Sequence, residues 1–441
     1  MSKFVRADGR VIYPQTSLTR EQKQAVGLLS IGTFLEYFDL MLYVHMAVLL
    51  NELFFEPANP HTASLMTAFA FCSTYVLRPV GALIFGWIGD NIGRKATVII
   101  TTSMMSLSCL VMANLPTYAQ IGISASYVVT VCRIVQGMSS MGEVVGAELY
   151  LTELIKPPIQ YPVVAFLSIA ISVGTTVALG VGTLAMSIGL NWRMAFWFGA
   201  GVAIIGVLAR TTLRETPEFA DAKRRVKQNI KLVINTNAFE KTLIWNEKVN
   251  IKTALSNFAL ISTWPVWFYI TYVYSSSILK NIFKYTTEQI ISHNLVVSMI
   301  SMLNAMLLTY LSYKINPLKI LKIRLIVFAV VILPCLYLLN NLTNVSELLL
   351  FQLIVILLGP TGFPAVPILY KHFPVFKRFT YSTVIYALSR ALIYVITSFG
   401  LVYLVEYFSN WGLLVIIIPV LTIYYYGRNH FEKLEVEASN H

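Results

Sequence analysis

Six ionisable side chains, Glu36, Asp39, Arg78, Arg133, Glu143 and Arg390, stand inside long apolar runs of the sequence. At mid-membrane such a group costs at least a few kcal/mol, so it faces a bundle interior or a water-filled cavity. Their spacing is helical. Glu36, Asp39 and Tyr43 follow an i, i+3, i+7 pattern and share one face. Arg133, Gln136, Ser140 and Glu143 fall within an arc of about 80° at 100° per residue. Thr383, Tyr386, Arg390, Tyr394 and Thr397 make a third polar stripe. These charges could simply pair with one another and hold helices together. Three stripes on three helices favour a shared polar cavity. A desolvated carboxylate there could carry a proton, although a nearby guanidinium would hold it ionised. An arginine suits a substrate carboxylate held in bidentate fashion.

The elements that must position these groups are membrane spans. The chain has 441 residues, 56% hydrophobic and only 12% charged, with a mean hydropathy of +0.68. A soluble domain carries about a quarter charged residues, so this apolar excess must face lipid. A helix needs roughly 20 apolar residues to cross the hydrocarbon. Candidate spans are 25–50, 63–89, 96–115, 119–150, 163–189 and 192–212, then 251–279, 287–312, 318–340, 346–369, 379–405 and 409–427. With the N-terminus cytoplasmic, the inside segments hold 27 Lys and Arg and the outside loops three. That bias satisfies the positive-inside rule. The expected fold is an all-α membrane protein of twelve transmembrane helices in two six-helix halves, both termini cytoplasmic. The divisions are a cytoplasmic segment 1–24, a half 25–212, a central cytoplasmic loop 213–250, a half 251–427 and a tail 428–441.

The net charge of +12 does not indicate a nucleic-acid binder, because the basic residues lie in short runs between apolar stretches. Cys72, Cys109, Cys132 and Cys335 all fall in apolar stretches without paired spacing, and read as buried thiols. Residues 1–24 lack the apolar core of a signal peptide. No nucleotide-binding glycine loop, metal-spaced His/Glu pair or catalytic triad pattern is present, so neither an enzyme nor a cofactor is expected.

The loop Gly86-Trp87-Ile88-Gly89-Asp90-Asn91-Ile92-Gly93-Arg94-Lys95 resembles the G-x-x-x-D-R-x-G-R-R/K signature of the major facilitator superfamily, and Arg133-Ile134-Val135-Gln136-Gly137 its R-x-x-Q-G motif. Within the superfamily the chain resembles the metabolite:proton symporters, which include proline/betaine, 2-oxoglutarate and citrate carriers. Gly32–Asp39, Arg78-Pro79-Val80-Gly81, Gln136–Glu143, Leu213–Phe219 and Phe373-Pro374 with Arg378 carry that likeness. The resemblance implies alternating access to a site between two halves, with proton-coupled uptake. It implies coupling or substrate roles for Glu36, Asp39, Arg133 and Glu143, and a cytoplasmic gate at Gly86, Asp90, Gly93 and Arg94.

The chain departs from the pattern at Asn91, where the signature has Arg, and at Lys371, where the branch commonly has an acidic residue. The equivalent second-half loop, Tyr313 to Arg324, has lost D-x-x-G-R. The expectation is a symporter for a small carboxylate-bearing metabolite, a zwitterion or an organic acid, in the bacterial inner membrane. A proton-independent facilitator or exchanger, or a non-transporting sensor, is the alternative. Glu36, Asp39 or Glu143 would carry the proton. Arg133, Gln136, Arg390, Tyr43, Tyr386, Tyr394 and Trp267 are the substrate candidates, with Arg78 supporting structure or coupling. Trp264, Trp267 and Tyr272 could cover a methylated ammonium, or simply favour the membrane interface. Expected partners are the substrate, the proton and the bilayer, with no nucleic acid and the chain working as a monomer.

Overall fold

In a computed structural model, residues 4–5, 11–12, 14–55, 75–187, 193–211, 216, 220, 224 and 248–440 are described. The first half of the expected span 63–89, most of the segment 213–250 and Cys72 lie outside them. So do the side chains of Tyr43 and Glu143.

Apart from one two-residue antiparallel pairing, Phe4–Val5 with Val11–Ile12, the regular structure is helical. The first group of helices is α1 (Arg20–Phe54), α2 (Arg78–Asn91), α3 (Arg94–Asn114), α4 (Ile123–Leu154), α5 (Gln160–Ser187) and α6 (Arg193–Arg210). The second group begins with α7 (Ile251–Ile261), α8 (Thr263–Phe268), a π-helical turn (Tyr269–Tyr274) and α9 (Ser275–Asn281). It continues with α10 (Thr287–Lys314), α11 (Pro317–Asn340), α12 (Val345–Leu358), α13 (Val366–Lys371), α14 (Val375–Phe408) and α15 (Leu413–Asn440). Six helices among the described residues are long and apolar enough to cross a membrane. Their outer faces match that setting: Leu107, Val330, Tyr403 and Tyr407 are each more than 60% exposed. A soluble surface does not carry such apolar density.

Several boundaries follow from local chemistry. Thr286 and Gln289 form a reciprocal capping box at the start of α10, and Asn344 with Glu347 does so at α12. Pro317 opens α11 where its missing N–H is no loss, behind the Asn316 cap.

Two expected spans are broken. The run 251–279 divides into α7, α8, the π turn and α9, and the Thr271 carbonyl accepts from Gln352 Nε2 at 2.7 Å. The run 346–369 stops at Leu358 and resumes as α13 at Val366. Gly359, Pro360, Gly362 and Pro364 interrupt it, since proline lacks a donor and glycine is a poor helix former. At the other extreme, α15 runs well past residue 427.

Candidate functional site

The two groups of helices meet at one end of the bundle along α2 and α14. Gly86 and Gly89 let the backbones approach: a Cβ at Gly86 would lie 2.7 Å from the Thr380 Cα. The next link is electrostatic. Asp90 at the end of α2 accepts from the backbone N–H groups of Phe379 (3.0 Å) and Thr380 (2.8 Å) of α14. Gly93 then turns the chain at φ +149°, a conformation that favours glycine, and so delivers Arg94 to the head of α3.

Arg94 is fully buried and reaches four groups. It donates to the Gly89 carbonyl (2.6 Å), Asp90 (3.2 Å), Glu153 (3.0 and 3.2 Å) and the Val375 carbonyl (2.7 Å). Arg378, at the start of α14, donates to the same Glu153 at 3.2 Å, and the Thr216 hydroxyl donates to it at 2.7 Å. One buried carboxylate therefore ties α3, α4 and α14 together. The resemblance singled out Gly86, Asp90, Gly93 and Arg94, and all four lie at this seam; Glu153 was not singled out. The available signal was Arg94 and Arg378 assigned to one side, with Glu153 at the adjoining exit of α4. Asn91 donates to the Trp87 carbonyl of its own helix (2.9 Å) and, among the described residues, makes no side-chain contact across the seam.

A methyl group at Gly86 would press on α14 backbone. Gly86→Ala is expected to cost about 1–3 kcal/mol through overpacking. A lowered melting temperature in detergent would register it; an unchanged one would mean the seam relaxes freely.

Deeper in the first group, Asp39 accepts from Arg133 (3.2 Å) and Gln136 (3.0 Å), and Cys109 Sγ lies 3.7 Å from it. Arg133 also donates to Gln136 at 2.9 Å. Glu36 pairs with Arg78 at 3.8 Å, and Arg78 lies over the Tyr75 ring, 4.6 Å from its centroid. All these ionisable groups are buried. Glu36 and Asp39 have separate cationic partners, and Arg133 and Gln136 are engaged with Asp39 away from the cavity wall. Lys371, the other departure, pairs with Glu435 of α15 at 2.7 Å.

The cavity itself, about 200 Å³, lies between the two groups of helices. Tyr37 of α1 and Glu148 of α4 line it from one group. Trp264, Tyr370, Tyr386, Arg390 and Arg324 line it from the other. The Tyr37 and Tyr386 hydroxyls are 3.3 Å apart across the divide. Arg390 lies flat on Tyr386, 3.4 Å from the ring centroid, and 5.3 Å from that of Trp264, while donating to Ser389 at 3.0 Å. Among the described residues it forms no ion pair with a carboxylate. Glu148 accepts from the Tyr370 hydroxyl at 2.8 Å and forms no ion pair either. Trp267 reaches the cavity wall, but its indole N–H is committed to the Pro360 carbonyl at 2.6 Å. Tyr394 is buried against Tyr75 and Phe268 and does not line the cavity.

Sequence reasoning missed Glu148 and Arg324. Glu148 stands on α4 about 60° beyond Arg133 at 100° per residue, outside the arc of the stripe, so periodicity did not single it out. Arg324 was counted among the loop cations although it lies inside the run 318–340.

A helical bundle with an apolar exterior encloses, behind a closed interhelical seam, a cavity lined by aromatic and charged side chains. The chain belongs to the major facilitator superfamily, whose model matches residues 29–398. It is 33% identical over 253 residues to the inner membrane metabolite transport protein YhjE of Escherichia coli (strain K12), covering 56% of this chain and 55% of that one. It is 30% identical over 213 residues to the proline/betaine transporter of Salmonella typhimurium, covering 47% and 43%. The chain thus spans about half the length of the curated relatives it matches. The proton:xylose symporter XylE bound to 6-bromo-6-deoxy-D-glucose shares the fold at a TM-score of 0.71 and 15% identity, covering 95% of this chain and 94% of that one. The human organic anion transporter MFSD10 does so at 0.62 and 16%, covering 95% and 100%. The protein is a membrane-embedded member of this superfamily with inner-membrane relatives.

Proposed function

We propose that the chain is a secondary transporter that moves a small carboxylate-bearing metabolite together with a proton by alternating access. The observation that carries this reading is Arg390, a buried guanidinium on the cavity wall with no carboxylate paired to it among the described residues. A buried charge without a counter-ion is costly, and a substrate carboxylate supplies one. The relatives named for metabolite, proline/betaine and proton-coupled sugar transport support the class. In this reading 25–212 and 251–427, with twelve spans in all, move about the cavity. Segments 1–24, 213–250 and 428–441 face the cytoplasm, the seam at Asp90, Arg94 and Glu153 is the cytoplasmic gate, and the chain works as a monomer. Glu36, Asp39 and Glu143 remain proton-carrier candidates, and Glu148 joins them as the carboxylate on the cavity wall.

The test is uptake of labelled proline, betaine, 2-oxoglutarate and citrate into proteoliposomes, with an inward-acid pH gradient and with it collapsed. Accumulation of one compound only under the gradient is expected. Equilibration indifferent to the gradient would leave a facilitator, and binding without flux a sensor. Asp39→Asn together with Arg133→Ala should abolish gradient-driven accumulation at normal protein abundance. Retained accumulation would remove that pair from the coupling route.

A further inference from the structure

Arg324 is the second guanidinium on the cavity wall. It stands on α11 and is 7% exposed. Its Nη1 donates to the Thr361 hydroxyl at 3.2 Å and its Nη2 to the Ile356 carbonyl at 3.4 Å, while its Nε is buried without a hydrogen-bond partner. Holding the last turn of α12 therefore uses two of its five donors. No carboxylate pairs with it among the described residues. Arg390 rests instead on Tyr386, Trp264 and Ser389, so the two guanidiniums share no partner.

The charge of the cavity follows. Arg324 and Arg390 face a single lining carboxylate, Glu148, which meets Tyr370 of α13 and feels Arg390 of α14. The hydroxyls of Tyr37 of α1 and of Ser168, Ser172 and Thr175 of α5 also line the cavity, all uncharged. With Glu148 ionised, two positive charges against one negative leave +1. With a proton on Glu148 the lining carries +2. A net-neutral zwitterion would leave either state uncompensated in a desolvated site, whereas a doubly charged anion neutralises the protonated one. Two of the lining aromatic rings, Trp264 and Tyr386, already carry the Arg390 guanidinium.

We infer that the cavity takes a small dicarboxylate, with one acid group on Arg390, the other on Arg324, and the accompanying proton on Glu148. The inference rests on the transport reading only in taking this cavity as the ligand site. It narrows the substrate from any carboxylate-bearing metabolite to a dianion and gives Arg324 the selecting role.

Equilibrium binding to the purified chain in detergent tests it, with succinate, malate and 2-oxoglutarate as probes against proline, betaine and succinamate, the half-amide of succinate. At least one dicarboxylate is expected to bind at least about tenfold more tightly than proline and betaine, and succinate at least about tenfold more tightly than succinamate. In Arg324→Gln the succinate-over-succinamate preference should fall toward unity, while Arg324→Lys keeps part of it. In Glu148→Gln, dicarboxylate binding should lose its pH dependence. The comparison of ligands on the unsubstituted protein stands even if a variant fails to fold. Proline or succinamate binding as tightly as the dicarboxylates would overturn the inference, as would an Arg324→Gln protein that keeps the preference. Gradient-driven, Arg390-dependent proline uptake without dicarboxylate preference would leave the transport reading intact and remove this one. Failure of every dicarboxylate to bind folded protein would remove it outright.

Discussion

Replacing Glu153 with alanine is expected to destabilise the closed bundle by about 3–5 kcal/mol, the cost of leaving buried charge uncompensated. Arg94 retains its ion pair with Asp90, 3.2 Å away, but loses the stronger two-bond contact with Glu153. Arg94 and Arg378 both lose their shared carboxylate, and neither can reach water while the seam is shut, because Arg94 is 0% and Arg378 6% exposed. The cheapest relief is for α14 to draw away from α2 and α4 and let solvent in. The effect should therefore be read two ways. Melting in detergent should fall by several degrees. A cysteine introduced at Thr380, whose backbone N–H now bonds Asp90, should react faster with a soluble maleimide in the Glu153→Ala background. Glu153→Gln retains the shape but not the charge and should fall between. If labelling and melting both match the parent protein, the triad is not what closes this end.

The second large effect concerns Arg390. Arg390→Ala should reduce gradient-driven uptake by about 100-fold or more, in line with losing a buried charge-assisted contact of about 3 kcal/mol. Arg390→Lys should recover little of it. An ammonium lacks the planar fork for a bidentate carboxylate and the flat face that now rests 3.4 Å from the Tyr386 centroid. Uptake measured at matched protein abundance decides the matter. A rate near that of the parent would show that Arg390 supports the wall and does not hold substrate.

Much of this arrangement could be read before any coordinates. The apolar runs that became the six membrane-length helices announce themselves by length and composition, since nothing but lipid accepts such outer faces. The capping pairs Thr286–Gln289 and Asn344–Glu347 mark helix starts locally, and the Gly-Pro interruptions after Leu358 explain why one run splits. Gly86, Asp90, Gly93 and Arg94 were identifiable as a unit through their resemblance to the superfamily's loop signature.

Partnership was not legible in the same way. Periodicity puts Glu36 and Asp39 on one helix face, yet one meets Arg78 of α2 and the other Arg133 of α4. Residues about 60° apart on one face can touch different neighbours, and only the packing of those neighbours assigns each charge its partner. Glu153 and Arg378 lie on different helices far apart in the chain, so their contact is a fact of assembly. Arg324 looked like one more loop cation because a charge near a span end can either snorkel to the interface or turn inward. The turn at 356–361 supplies the oxygens that hold it inward. The sequence by itself determined that the chain lives in lipid and carries buried charge at defined helical positions. The tertiary structure alone decided which charges neutralise one another and which, like Arg390 and Arg324, still face a cavity, because ion pairing depends on distances between helices that no single helix encodes.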